Sequence, residues 1–266
     1  MHPILHHLTC GVIQPPAVPN APAAVCHVLL IETPSALVLV DTGIGLLDCL
    51  HPLDRLGPEL INGVGFRPDE RRTAFRQIEA RGLDPALVTD IVLTHADPDH
   101  TGGLADFPNA RVHISVEEHA AATTGSPPPA FPRYVAAHFD YGPRWRPYAS
   151  PPPSAPRWFG LEARPLDLPA GIEALLVPLP GHTRGHCGVA VRQADGRWTL
   201  HAGDAYYLRV ELTTDAHPVS RLAAERADDN AQRLASLESL RRLARDHAGE
   251  IAMFGYHDPS ELPATP

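Results

Sequence analysis

The 266-residue sequence predicts a layered α/β domain. Three observations carry this expectation. Short runs rich in Val, Leu and Ile recur along the chain, helical stretches separate them, and loops bearing His or Asp follow several of the apolar runs. The length suits one large domain, read here as a single unit over 1–266 with a Pro-rich loop excursion at about 125–160. Hydrophobic residues at 44% and charged residues at 20% describe an ordinary globular chain rather than a disordered one.

The elements follow in order. VCHVLLIE and ALVLVD, within 25–41, read as two strands joined by a Thr-Pro-Ser turn, and Asp41-Thr42-Gly43 ends the second. Segments 1–24 and 44–66 read as irregular. A helix is expected over 68–81, with Pro68 in its first turn, Asp69 and Glu70 at its positive end and Gly82 closing it. DIVLT (90–94) reads as a short buried strand, 104–107 as the start of a short helix, RVHIS (111–115) as a strand and 117–122 as helical. Ten of the 30 prolines fall in 125–156, which excludes a regular helix or a central strand there. Tyr134, Tyr141, Trp145 and Tyr148 argue for an ordered excursion, either a substrate cap or an exposed insertion without a role. ALLVPLP (174–180) is a buried strand, and GVAVRQ and RWTLHA flank an Asp-Gly hairpin signal at 195–196. Residues 218–247 read as helical, with Leu234, Leu237, Leu240 and Leu243 near one face and a break with a new cap at 228–230. EIAMF (250–254) is the last strand.

Charge and composition narrow the function classes. The net charge of −9 argues against nucleic acid and against an anionic membrane surface as partners. No apolar run reaches the ~20 residues of a membrane span, and no signal peptide is evident, so a cytoplasmic location is expected. Every one of the 22 basic residues is Arg, which excludes Schiff-base and P-loop lysine chemistry. Cys10, Cys26, Cys49 and Cys187 form no C-x-x-C and are expected to be reduced. The 16 histidines direct attention to metal and acid–base chemistry.

The strongest signal is Thr94-His95-Ala96-Asp97-Pro98-Asp99-His100-Thr101-Gly102-Gly103, directly after a buried strand. Pro98 is expected to keep Asp97 extended and to prevent helix there. In extended chain, residues two apart share a side, so His95 and Asp97 can share one metal, and Asp99 or His100 can reach a second. Three later strand-end loops add donors: PGHTRGH (180–186), GDAYY (203–207) and YHD (256–258).

With VDTG (40–43), HADPDH (95–100), PGHTRGH, GDAYY and YHD in this order, the chain resembles the metallo-β-lactamase fold superfamily, and most closely its N-acyl homoserine lactonase-like branch. The resemblance implies an αββα sandwich with a dinuclear metal site. One metal would take His95, Asp97 and His182, the other Asp99, His100 and His257, with Asp204 bridging both. It implies two divalent ions, zinc first among them and iron or manganese as alternatives. One departure stands out. The usual motif is H-x-H-x-D-H, and Asp97 occupies the second His position, as a carboxylate does in the diiron branch. With a bridging hydroxide the three carboxylates would neutralise two divalent ions, making a weaker Lewis acid and favouring harder metals.

The implied activity is that of a metal-dependent hydrolase whose metal-bridging hydroxide attacks a lactone or another carboxylic ester. Tyr207 would donate to the developing oxyanion, with Tyr206 the competing inward residue, and Asp99 would protonate the leaving alkoxide. Asp41 and His186 would orient the ligands, and His2, His6 and His7 would line the site mouth. The related lactonases suggest a homodimer. The alternatives are a thioesterase of glyoxalase II type, an iron-dependent redox enzyme, for which the chain leaves no room for a flavin domain, and a metal-binding module.

Overall fold

A computed structural model describes residues 3–15, 23–129, 133–152 and 154–263 of the chain. Among the described residues, eleven strands form two sheets. The first sheet holds β1 (Ile4–Ile13), β2 (Ala24–Glu32), β3 (Leu37–Val40), β4 (Val88–Val92), β5 (Arg111–Ser115) and β6 (Arg144–Tyr148), in that spatial order. The second holds β7 (Arg164–Pro165), β8 (Ala174–Pro178), β9 (Cys187–Arg192), β10 (Trp198–His201) and β11 (Ile251–Phe254), ordered β11-β10-β9-β8-β7. Between them in sequence lie helices α1 (Leu46–Leu50), α2 (Pro52–Arg55), α3 (Ala74–Glu79), α4 (Pro98–Thr101), α5 (Val116–Thr124), α6 (Pro218–Arg226) and α7 (Asn230–Asp246).

Strand periodicity explains the layering. In β2 and β3, Leu29, Ile31, Val38 and Val40 point to the second sheet, where they meet Leu176, Val189, Val191 and Phe254. The alternate residues Val28, Leu30, Leu37 and Leu39 point outward to Ile44, Leu56, Ile78 and Leu104. On the far side, Leu237, Leu240 and Leu243 of α7 cover Ala190, Trp198 and Leu200. Helices therefore cover both outer faces, which is the αββα sandwich the resemblance implies.

Several segments differ from the sequence expectation. Residues 4–13 form β1, antiparallel to β2. Leu8 and Cys10 face the helical side while Leu5 packs between the sheets; two histidines and a threonine interrupt the run and mask its alternation. Segment 44–66 carries α1, α2 and a π-helical turn at Glu59–Val64. The helix expected over 68–81 is a 3-10 turn, Glu70–Arg72, followed by α3, because Thr73 breaks the run and caps α3 through Arg76 N. Pro98 does not prevent helix: it is the first residue of α4, while Asp97 before it is extended (φ −62°, ψ 154°). The excursion contributes β6, parallel to β5; it sits at the sheet edge, where Pro147 is tolerated. The break near 228–230 is as expected, with the Asp229 carboxylate accepting from Ala231 N and Gln232 N. Leu234 is 42% exposed and does not share the buried face of Leu237, Leu240 and Leu243.

All four cysteines are free. Among the described residues no helix is long and apolar enough to cross a membrane. Leu240 is fully buried, so Leu240→Ala is expected to lower unfolding free energy by about 2–5 kcal/mol. Leu234→Ala is expected to change it by no more than about 0.5 kcal/mol. Denaturant unfolding of both variants checks the pair.

Candidate metal centre

The strand directions bring the motifs to one edge of the sandwich. β3 and β4 are parallel, so Asp41 and the His95 loop leave the first sheet at the same end. In the second sheet β8, β10 and β11 run one way, β9 being antiparallel to β8 and β10. The loops after β8, β10 and β11 thus deliver His182, Asp204 and His257 together. Backbone bonds tie the sheets here, Cys187 N to Thr94 O at 2.9 Å and Val25 N to His257 O at 3.2 Å.

Among the described residues, three groups of side chains could hold a metal ion: His95, Asp97 and His182; His95, His100 and Asp204; and Asp99, His100 and His257. Asp204 is central. Its Oδ2 lies 3.1 Å from His257 Nε2, 3.5 Å from His182 Nε2 and 4.0 Å from His95 Nε2. Its Oδ1 lies 3.4 Å from His100 Nε2. Asp97 Oδ2 is 3.1 Å from His182 Nε2 and 3.5 Å from His95 Nε2. Asp99 Oδ2 is 3.6 Å from His257 Nε2 and 3.7 Å from His100 Nε2. His95 Nε2, His100 Nε2 and Asp204 Oδ1 are buried without a hydrogen-bond partner. Buried polar atoms seldom remain unsatisfied, and nitrogen and carboxylate oxygen converging from several sides is the donor chemistry of a divalent cation. The residues fit such an ion.

Each imidazole is also held from behind, which leaves Nε2 for the centre. His100 Nδ1 bonds the Asp41 carboxylate at 2.8 Å, His95 Nδ1 meets Thr94 Oγ1 at 3.1 Å, and His257 Nδ1 donates to Val25 O at 3.0 Å. His182 Nδ1 is 3.5 Å from the Tyr207 hydroxyl. Asp41 holds this post in the left-handed region (φ 59°), which an Asp tolerates better than most residues. Its carboxylate also accepts from Thr94 N and Thr94 Oγ1, both at 2.8 Å. His186 acts on Asp204: its Nδ1 donates to Leu179 O and its Nε2 accepts from Asp204 N at 2.9 Å. A Cβ at Gly203 (φ +55°) would approach His186 Nε2 to 2.6 Å, so glycine is required there.

Electrostatics follow from burial and mutual proximity. Burial pushes the Asp99 carboxyl up, reinforced by Asp204 and Asp97 and opposed by His100 and His257. Burial also resists ionisation of Asp204 and Asp97. His257 and His100 nevertheless hold Asp204 well below the usual carboxylate range, as Arg133 and His95 do for Asp97. His100 lies well above the usual imidazole range, because Asp41, Asp99 and Asp204 outweigh its burial. His257 is raised to about 8, Asp204 and Asp99 overcoming burial, whereas burial and His100 lower His95 to about 4.

The seven side chains expected as ligands therefore lie together, with Asp41 hydrogen-bonded to His100 and His186 to the backbone of Asp204. Of the two tyrosines, Tyr207 turns toward His182, whereas the Tyr206 hydroxyl donates to Glu261. His6 bonds Glu32 and His7 bonds His27, so neither joins the candidate groups; His2 lies outside the described residues. Two contributors, Glu118 and Arg133, gave no sequence signal, and a third, Tyr256, lies in the YHD motif with no role read for it. Glu118 accepts from Ala96 N at 2.9 Å and from the Thr183 hydroxyl at 2.6 Å, pinning two donor loops together. Tyr256 donates to Asp99 O at 2.6 Å and stacks on His100 at 3.8 Å. Arg133, inside the Pro-rich excursion, places Nη1 3.2 and 3.1 Å from the two Asp97 oxygens and 3.3 Å from His182 Nε2. Only the fold brings these three to the centre.

Comparison with known proteins gives a consistent result. Residues 21–255 match the family described as the metallo-beta-lactamase superfamily. A probable metallo-hydrolase of Mycobacterium tuberculosis is 44% identical over 211 residues, covering 78% of this chain and 64% of that protein. The chain thus spans a little under two thirds of that relative's length. An N-acyl homoserine lactonase of Azorhizobium caulinodans is 31% identical over 204 residues, covering 75% of this chain and 68% of that one. A solved N-acyl homoserine lactone hydrolase with its product at a catalytic metal centre superposes with a TM-score of 0.72 at 18% identity, covering 100% of this chain and 98% of the other. With the two-sheet fold and the donor loops at one edge of it, the chain belongs to the metallo-beta-lactamase superfamily.

Proposed function

We propose that this protein is a divalent-metal-dependent hydrolase acting on a lactone or another carboxylic ester. The observation that carries the reading is the Asp204 carboxylate lying between two donor groups, with unpartnered His95 Nε2 and His100 Nε2 beside it. His95, Asp97 and His182 would hold one ion and Asp99, His100 and His257 the other, with Asp204 shared. The four imidazoles suit zinc, and the three carboxylates raise the standing of manganese or iron. Bound ions would supply Lewis acidity toward a carbonyl oxygen and water activated near neutral pH. The lactonase relative supports the ester or lactone class.

The chain's own groups complete the chemistry. Burial pushes the Tyr207 hydroxyl well above its usual range, helped by the Asp204 and Asp97 charges, so it stays protonated and can donate to developing negative charge. Asp99 is buried among the donors at 7% exposure, its carboxyl held toward the protonated form by that burial, and is assigned to deliver a proton to the leaving oxygen. His186 and Asp41 keep the donors aimed. Tyr134, whose hydroxyl donates to Glu118 at 3.1 Å, anchors the excursion beside the donor loops and makes it a wall of the site.

Asp204→Ala is expected to abolish both metal retention, read by elemental analysis, and turnover of a lactone panel; full activity in that variant or in metal-free protein would sink the proposal. Tyr207→Phe should keep its metal and lose about 10²-fold in kcat, whereas Tyr206→Phe, whose hydroxyl serves Glu261, should leave kcat within a few-fold. His186→Ala should weaken metal affinity by about 10–100-fold, measured by chelator competition.

A further inference from the structure

The two halves of the candidate centre are not alike. On the Asp97 side a protein cation already faces the donor atoms. Arg133 Nη1 lies within hydrogen-bond distance of both Asp97 oxygens and of His182 Nε2. These are the lone pairs that an ion on that side would need at about 2.0–2.2 Å. The guanidinium is built in: the Arg133 side chain is 1% exposed, and Nη2 donates to Arg226 O at the end of α6, 3.8 Å from the Asp228 carboxylate. A dication bonded to Asp97 and His182 would take those lone pairs and stand against a like charge a few ångströms away, in a buried setting where Coulomb repulsion is weakly screened.

The other side has no such occupant. Among the described residues, the ion pairs of Asp99 and Asp204 are all with imidazoles. His100 Nε2 and Asp204 Oδ1, both without a hydrogen-bond partner, face each other there. The residue at 97 explains the asymmetry. A carboxylate attracts and orients a guanidinium through both oxygens, as it does here, whereas a neutral imidazole offers one acceptor and no charge.

We propose that Arg133 is an internal competitor for the Asp97 side of the centre, so that the two halves load unequally. The Asp99, His100, His257 and Asp204 half holds the tightly bound ion. The His95, Asp97 and His182 half takes a second ion only by displacing the guanidinium. This inference rests on the metal-dependent reading above, and its test separates the two. Metal-stripped protein of full length is titrated with Zn²⁺ against a chromophoric chelator, and bound zinc is counted after gel filtration. The wild type is expected to hold one tight equivalent and a second at least about tenfold weaker. Arg133→Gln is expected to tighten the second step about tenfold or more and to move the retained count from near one toward near two. Asp97→His, which keeps a donor but removes the charge that holds Arg133, provides an independent check: a tightened second step supports the proposal and a loosened one overturns it. Two equal steps in the wild type, a measurement that needs no variant to fold, overturn the competition while leaving metal dependence intact. So does a weak step that Arg133→Gln leaves unchanged. A wild type that binds none of zinc, manganese and iron in the same titration overturns both readings.

Discussion

Three carboxylates, Asp97, Asp99 and Asp204, share imidazole neighbours at one edge of the sandwich, His182 lying between Asp97 and Asp204 and His257 between Asp204 and Asp99. Like charges removed from water repel strongly and lose hydration, so the cluster persists only where positive charge is supplied to it. The surrounding protein supplies it in graded form. Four imidazoles turn Nε2 inward, His100 and His257 lie above the ordinary imidazole range, and Arg133 closes on Asp97. The same arrangement that strains the protein alone is complementary to divalent cations, and this links the fold to its chemistry.

Holding that cluster requires a stiff frame, and the two sheets provide one. Five strand ends converge because β3 and β4 are parallel in one sheet while β8, β10 and β11 share a direction in the other. Cross-sheet bonds at Thr94 with Cys187 and at Val25 with His257 stop the edge from opening. Behind the donors, Asp41 binds Thr94 and His100 together, His186 fixes the backbone of Asp204, and Glu118 joins the loops carrying Ala96 and Thr183. Each is buried and hydrogen-bonded, so the donor loops they touch are oriented by neighbours that cannot easily move.

Asp97 has a consequence beyond its own place among the donors. It puts a charge where the resembled motif has an imidazole, and that charge pairs with a guanidinium from the excursion. The proline-rich segment thus reaches the donor atoms as well as bordering them. That joins two features that look unrelated in the chain, an acidic residue in a His-rich motif and an arginine among prolines.

The amino-acid sequence alone determined the layered α/β class, most strand and helix positions and the donor-bearing strand-end loops, while the set of seven candidate ligands came from the resemblance those loops carry. Those are local properties: apolar alternation, caps, and donor residues clustered at the ends of apolar runs leave their mark within a few positions. β1 escaped because His6, His7 and Thr9 interrupt its alternation, and it became a strand only by pairing with β2. The choice between Tyr206 and Tyr207, the exposure of Leu234, and the parts played by Glu118, Tyr256 and Arg133 belonged to the tertiary structure. Each depends on which distant backbone lies opposite. Glu118 meets Thr183 across 65 residues, Arg133 meets His182 across 49, and Tyr256 meets Asp99 across 157. Contacts at such separations are fixed by how the two sheets pack, and no local pattern records them.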